Sequence, residues 1–243
     1  MHYLEFLDRL HVALAPRTYL EIGIRNGDSL ALSRCPSIGI DPGFEVTREL
    51  RSPTTLVRST SDRYFDHLPP EGPFGDLPVD LAFIDGMHLL EFAVRDFANL
   101  ERHSAWSSVA AFDDVLPRDV DMAARERHTQ AWTGDVFRIL DVLGTERPDL
   151  TLVVVDTEPT GLLLVLGLDP RNDRIPTRFD EAVTRRILPD PQTVPAAVLD
   201  RTRAIGPDRA LALPVWDRLR HDRGRLDEAA GRQALRQALS TVG

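Results

Sequence analysis

An aspartate and a histidine stand three residues apart in FIDGMHLLEFAVRDF, residues 83–97, where an apolar run gives way to an amphipathic one. These are Asp85 and His88. A second apolar run, SSVAAFDDV, ends in the pair Asp113 and Asp114. Ionisable groups at the end of an apolar strand need partners, because burying an uncompensated charge is costly. Carboxylate and imidazole are suited to proton transfer, and imidazole titrates near neutral pH without any perturbation. His88 is therefore a candidate general base. Asp85, Asp113 and Asp114 repel one another wherever they converge, and a hard divalent cation held by oxygen ligands relieves that repulsion. A blander reading stays open beside this one. In it Asp85 and Asp113 cap helices or bind loop amides, Asp114 faces solvent, and His88 sits in a first helical turn bonded to a carbonyl.

Convergence of these groups requires a particular sheet. From Arg17 to about Ser108, short apolar runs alternate with helical patterns: TYLEIGI, SIGID, TTLVRS, VDLAFID and SSVAAFDD read as strands, with DSLALSR, SDRYFDHL and LLEFAVRDFANLERH between them. In the last of these, Leu89, Phe92, Ala93, Phe97 and Leu100 fall at helical spacing, an apolar stripe for one face of a sheet. Such alternation means βαβ units and parallel strands. After the helical GDVFRILDVLG, two more strands, LTLVVVD and GLLLVLG, are separated only by TEPT. A parallel crossover needs a dozen or more residues, so these two form an antiparallel hairpin. The expected fold is α/β: a seven-stranded, mostly parallel sheet ending in an antiparallel hairpin strand, with helices on both faces. In such a sheet the carboxyl ends of the strands line the ligand crevice, which brings Asp85, Asp113 and Asp114 to one place. Beyond Pro170, prolines, charges and short helical stretches replace the alternation. This divides the chain into a domain of residues 1–170 and a helical appendage, 171–243, that serves as lid, docking element or dimerisation surface.

The turn after the first strand, YLEIGIRNGDSL, holds Glu21, Gly23 and Gly27, and the second strand ends in IGIDPG. Glycines permit a sharp turn and close approach of a ligand to backbone. The dinucleotide fingerprint G-x-G-x-x-G is missing, so a cofactor without a pyrophosphate is favoured. Asp41 lies twenty residues beyond Glu21, the separation at which an acidic side chain accepts hydrogen bonds from ribose hydroxyls. Taken together, LEIGIRNGDSL, IGIDPG, FIDGMH, FDDV and the terminal hairpin resemble the Rossmann-like class I S-adenosylmethionine-dependent methyltransferases over residues 17–168. Among these, the chain is most similar to bacterial sugar and natural-product O-methyltransferases with an I-D-G-x-H motif. The resemblance implies that Glu21, Gly23 and Gly27 approach the methionine part of S-adenosylmethionine, that Asp41 binds its ribose, and that Ser61 or Asp62 lies near the adenine. It also implies that Asp85 contributes to the cofactor site, and that Asp85, Asp113 and Asp114 match the acidic ligands with which catechol-type and macrolide-sugar enzymes hold Mg2+. His88 and Asp85 are the expected catalytic pair.

The net charge of −9 over 243 residues, with all 29 basic residues arginine, argues against a nucleic-acid partner or an anionic membrane, either of which would be met against the protein's own field. A small-molecule acceptor fits better, and a homo-oligomer through the C-terminal helices is an open expectation. The single cysteine, Cys35, has no internal disulfide partner, and MHYLEFLDRLHVALAP is amphipathic rather than a signal peptide, so a cytoplasmic protein is expected. Two other functions remain open: a Rossmann-type NAD(P)-dependent oxidoreductase, and a nucleoside-binding module without catalysis.

Overall fold

Strands β1 (Tyr19–Ile22), β2 (Ser37–Ile40), β3 (Thr54–Val57), β4 (Leu81–Ile84) and β5 (Val109–Phe112) run parallel in the computed structural model, which describes residues 1–240. The sheet has seven strands in the order β3-β2-β1-β4-β5-β7-β6. Strand β7 (Leu162–Leu166) lies antiparallel to both β5 and β6 (Thr151–Val155). The short TEPT connection thus makes the hairpin its length demands, and the returning strand slots in beside β5. Strands β1, β2, β4, β5 and β7 are buried throughout, as expected where helices cover both faces. Register fixes the functional edge: Ile22 pairs with Ile40 and Ile84, and Ile84 with Phe112. The residues that follow these positions, Gly23, Asp41, Asp85 and Asp113, therefore emerge side by side.

Helix α1 (Tyr3–Leu14) buries Phe6, Leu7, Leu10 and Leu14 on one face of the sheet. It stops at Ala15, whose φ of 44° closes the last turn ahead of Pro16. Helices α3 (Leu90–Glu101) and α4 (Ile139–Glu146) cover the other face, through Ala93, Val94 and Phe97 of α3 and Val142 and Leu143 of α4. Two helical segments come out shorter than their patterns suggest. DSLALSR forms only a 3-10 turn, Leu30–Leu32, and SDRYFDHL gives the six-residue α2, Ser61–Asp66. The positive-φ turn at Gly27 and the chain's entry into Pro36 and β2 leave the first no room for a full helix. Among the described residues no helix is long and apolar enough to cross a membrane.

Beyond Pro170 the chain is helical, but it is not a body apart from the sheet. Ile175, Ala182 and Val183 enter the α3/α4 core, while Val215, Trp216, Leu219 and Leu235 enter the α1 core. Ile205 extends β6, donating its amide to the Val154 carbonyl at 2.9 Å and accepting that of Asp156 at 2.9 Å. Arg223 donates to the carbonyls of Leu14 and Ala15 at the end of α1 and pairs with buried Asp80 at 3.2 Å. The expected division into 1–170 and 171–243 falls at a change of composition, and we read the segment beyond it as folding together with the sheet, since it enters both cores. If that is so, a core substitution in the appendage destabilises the whole molecule. Trp216→Ala, which removes a side chain 3% exposed, is expected to cost about 3–5 kcal/mol in a single cooperative denaturant transition. A separate, earlier transition with the sheet unaffected would show the appendage to be independent.

Candidate active site

The carboxyl edge of the parallel strands borders a cleft of about 470 Å³ whose lining includes Gly23, Arg25, Asp41, Ser61, Asp62 and Asp85. Its floor depends on one glycine. Gly23 has φ +88°, and a Cβ there would lie 1.9 Å from the Asp85 carbonyl oxygen, so β1 and β4 meet at a distance no other residue allows. Asp41 accepts the Arg25 amide at 2.9 Å and the Gly43 amide at 2.6 Å. This holds Arg25 at φ 43°, a left-handed conformation costly for a long side chain. Ser61 and Asp62 open α2 at the far side of the cleft, where Asp62 pairs with Arg95 at 3.2 Å.

At the other end, the His88 ring lies between two carboxylates. Nδ1 is 2.8 Å from Asp114 and 2.7 Å from the Trp132 carbonyl, and Nε2 is 3.4 Å from Asp85. Only acceptors face either nitrogen, so both carry protons and the ring is an imidazolium. Burial alone would lower this histidine; the bonds to Asp114 and Asp85 outweigh it and push the ring up to about 11. The indole of Trp132 stacks on the imidazole at 5.1 Å with an interplanar angle of 8°. The segment following it crosses so closely that a Cβ at Gly134 would lie 1.6 Å from the His88 carbonyl oxygen. Asp85 does not cap α3, whose first amide, at Leu90, is held by Asp135 at 2.8 Å, whereas Asp113 does bind a loop amide, that of Asp114.

Asp85 is pushed up to about 6 by burial, with the His88 bond opposing and the Asp114 charge adding. Asp113 turns away from this cluster. Its Oδ1 accepts the Asp114 amide at 2.8 Å and the Thr160 hydroxyl at 3.3 Å, and burial, then Asp114 and Asp85, drive it well above the usual carboxylate range. Asp114 itself adopts φ 66°. The groups whose ligand atoms lie within 4.8 Å of one another are Asp85, His88 and Asp114, so His88 stands where the sequence suggests Asp113.

Two residues of the cofactor turn also differ from expectation. Glu21 is fully buried, with one carboxylate oxygen accepting from the Tyr19 hydroxyl and the other from Ser29, both at 2.6 Å; burial lifts it to about 8. It braces the turn from below instead of facing the cleft. Gly27, at φ +83°, faces the Val46 side chain and lies outside the cleft lining, so its role is to permit the turn. Two further histidines stand apart from the cluster: His103 stacks on Phe65, and His128 is exposed in the loop before Trp132. Asp96 is the residue that sequence reasoning passed over. It is buried, lines the cleft and is raised to about 7 by burial, with a Ser61 bond opposing. Its signal was a carboxylate inside the apolar stripe of α3, beside Phe92, Ala93 and Phe97.

No protein-family model matches the chain, and no curated protein matches it in sequence. Solved structures do share its fold. An O-methyltransferase from Bacillus cereus in complex with SAH aligns with a TM-score of 0.51 at 15% identity, covering 68% of this chain and 80% of its own. The SAH-bound methyltransferase PaMTH1 of Podospora anserina aligns with a TM-score of 0.51 at 12% identity, over 69% of this chain and 78% of its own. A candidate O-methyltransferase from Klebsiella pneumoniae gives 0.51 at 19% identity, over 68% and 79%. The fold is thus the Rossmann-like methyltransferase fold, a seven-stranded mixed sheet with its antiparallel pair at one end.

The His88 geometry has a direct consequence in solution. Because the folded ring is raised above its unfolded value of 6.5, its stabilising share is fully present below that pH and is lost as the pH climbs towards 11. Nitrogen-15 NMR of the imidazole is expected to show both ring nitrogens protonated at pH 8. A neutral ring at that pH would remove the imidazolium from the cluster.

Proposed function

We propose that the protein is an S-adenosylmethionine-dependent methyltransferase acting on a hydroxyl of a small metabolite, a sugar or a natural product. The observation that carries this reading is a cleft lined by Asp41 after β2 and by Asp85 and His88 after β4, with β1 between them and Asp114 after β5 completing the acidic cluster. A volume of about 470 Å³ is in the range of small-molecule sites. The residues fit the cofactor: Asp41 retains lone pairs for ribose hydroxyls, Ser61 and Asp62 border the adenine end, and Arg25 offers a guanidinium to the methionine carboxylate.

Held by Asp41 and the turn after β1, S-adenosylmethionine would supply an electrophilic methyl group, and an acceptor hydroxyl that takes the methyl would have to give up its proton to a residue of the site. His88, already holding two protons, is not the group to take it. Asp85, raised to about 6 and at the cleft edge, accepts a proton at neutral pH, and the neighbouring imidazolium stabilises negative charge developing on the acceptor. Gly23 and Gly134 fix the backbone on both sides of this loop, so the pair is oriented before substrate arrives.

The same three side chains fit a divalent ion. Two carboxylates and an imidazole are a suitable donor set once His88 gives up a ring proton, and the Trp132 carbonyl on Nδ1 is the kind of outer support that a histidine ligating through Nε2 uses. A bound ion such as Mg2+ supplies Lewis acidity that acidifies an acceptor hydroxyl. Entry of the ion then competes with protonation, so metal affinity rises with pH.

Calorimetric titration is expected to show S-adenosylmethionine binding at one site and none for NAD. Asp41→Ala should weaken it by roughly 10–100-fold, through loss of charge-assisted hydrogen bonds worth about 1.5–3 kcal/mol. Undiminished affinity in that folded variant refutes the ribose assignment. With a panel of hydroxylated acceptors, Asp85→Asn should lower the release of S-adenosylhomocysteine about 10²–10⁴-fold while cofactor affinity stays near wild type. Full turnover after exhaustive chelation would separate the proton-acceptor role from any metal role.

A further inference from the structure

A second large cavity, of about 670 Å³, shares no lining residue with the cleft. It lies on the outer side of the sheet's β6 end, between α4 and the segment around residues 186–204. Its floor is apolar: Leu152 and Val154 of β6, Leu140 of α4 and Val198 all contribute, and each is only half-buried by the protein itself. Its rim is cationic. Arg138, Arg186 and Arg203 line it against one acidic residue, Asp141, in a chain whose net charge is −9.

The three guanidinium groups are unequally compensated. Arg186 pairs with Asp141. Arg138 donates to neutral groups, the Gln192 side-chain oxygen at 2.9 and 3.1 Å and the Thr193 carbonyl at 3.3 Å, and its partial burial lowers its pKa. Arg203 is exposed and makes no ion pair among the described residues. Desolvated or unpaired arginine beside apolar surface is the setting in which a carboxylate gains both a bidentate partner and burial for its hydrocarbon. The space is also kept open from within α4. Gly144, in the last turn of α4, lines the cavity, and nothing lies within 4 Å of the position its Cβ would take.

We propose that this cavity binds one dissolved amphipathic carboxylate, its head on Arg138 and Arg203 and its aliphatic or aromatic body on Leu140, Leu152 and Val154. The volume suits a single small ligand. The site is independent of methyl transfer and stands or falls separately from it.

Decanoate below its micellar concentration is the probe, with decyltrimethylammonium as its cationic counterpart. Calorimetry should show saturable one-site binding of decanoate that weakens with added salt, and at least tenfold weaker binding of the cation. Gly144→Leu fills the cavity while improving helix propensity, and Arg203→Glu reverses an exposed charge. Each should weaken decanoate about tenfold or more, with S-adenosylmethionine binding and the thermal midpoint retained. If Gly144→Leu fails to fold, Arg203→Glu alone decides. The proposal is overturned by absence of saturable decanoate binding, by equal affinity for the cation, or by folded variants that bind like wild type. It is equally overturned if anionic vesicles, and not decanoate, are bound, or if Gly144→Leu merely dissolves a dimer, since the cavity would then be a membrane or subunit contact.

Discussion

The imidazolium of His88, shared between carboxylates that end two neighbouring strands, is the interaction on which the functional edge depends. Parallel strands deliver Asp85 and Asp114 to one place whether or not their charges suit each other, and a cation must stand between them. Here it comes from the same loop as Asp85. Holding that ring requires a cover, and the connection after β5 supplies it: Trp132 stacks on the ring and accepts from Nδ1, and Gly134 lets the backbone pass over the His88 carbonyl. The cover is anchored in turn. Asp135 caps α3 and binds Arg125, which also pairs with Glu91, and Asp190 of the C-terminal segment accepts the Arg125 and Glu126 amides. A chain of short polar contacts thus ties the appendage to the acidic cluster.

That chain explains which parts of the molecule were legible in the sequence. The sheet was, because most strands are short, mainly apolar runs and each crossover has the length its topology needs. Strand polarity then put Asp41, Asp85, Asp113 and Asp114 on one edge. The reversed β7 followed from a connection too short to cross over. The fate of DSLALSR was not legible, since its helical spacing is overridden by the turn at Gly27 and the return into β2. Nor was the docking of the appendage: an amphipathic stretch such as PVWDRLRHD shows that one face is covered but not by what, and Trp216, which donates locally to the Ala210 carbonyl, joins a core that includes α1 and the sheet, more than a hundred residues away.

Side-chain chemistry was harder to read than topology, for one physical reason. A carboxylate at a strand end acts according to which of its lone pairs remain free, and that is set by partners the sequence places far off. Glu21 is consumed by Tyr19 and Ser29, Asp135 by Leu90 and Arg125, and Asp113 by the Asp114 amide and Thr160 of the hairpin turn. Asp41 has given up part of its capacity to two amides and still borders the cleft. Asp85 has only the long contact to His88 and the rest of its surface open to the cleft.

Sorted in this way, acidity at the edge has two distinct uses. The consumed carboxylates make the loops rigid, since a satisfied buried polar network has few alternative arrangements. The free ones face a site whose geometry is already paid for by that rigidity. Asp114 at φ 66° and Arg25 at φ 43° are held off the favoured backbone regions on opposite sides of the same cleft, and such strain persists only where surrounding contacts over-determine the backbone. Asp41 does so for Arg25 and Asp113 for Asp114, each by accepting the strained residue's own amide. Groups near Asp85 are therefore held in part by residues outside the cleft lining, among them Glu21 under the first turn and Asp135 at the start of α3.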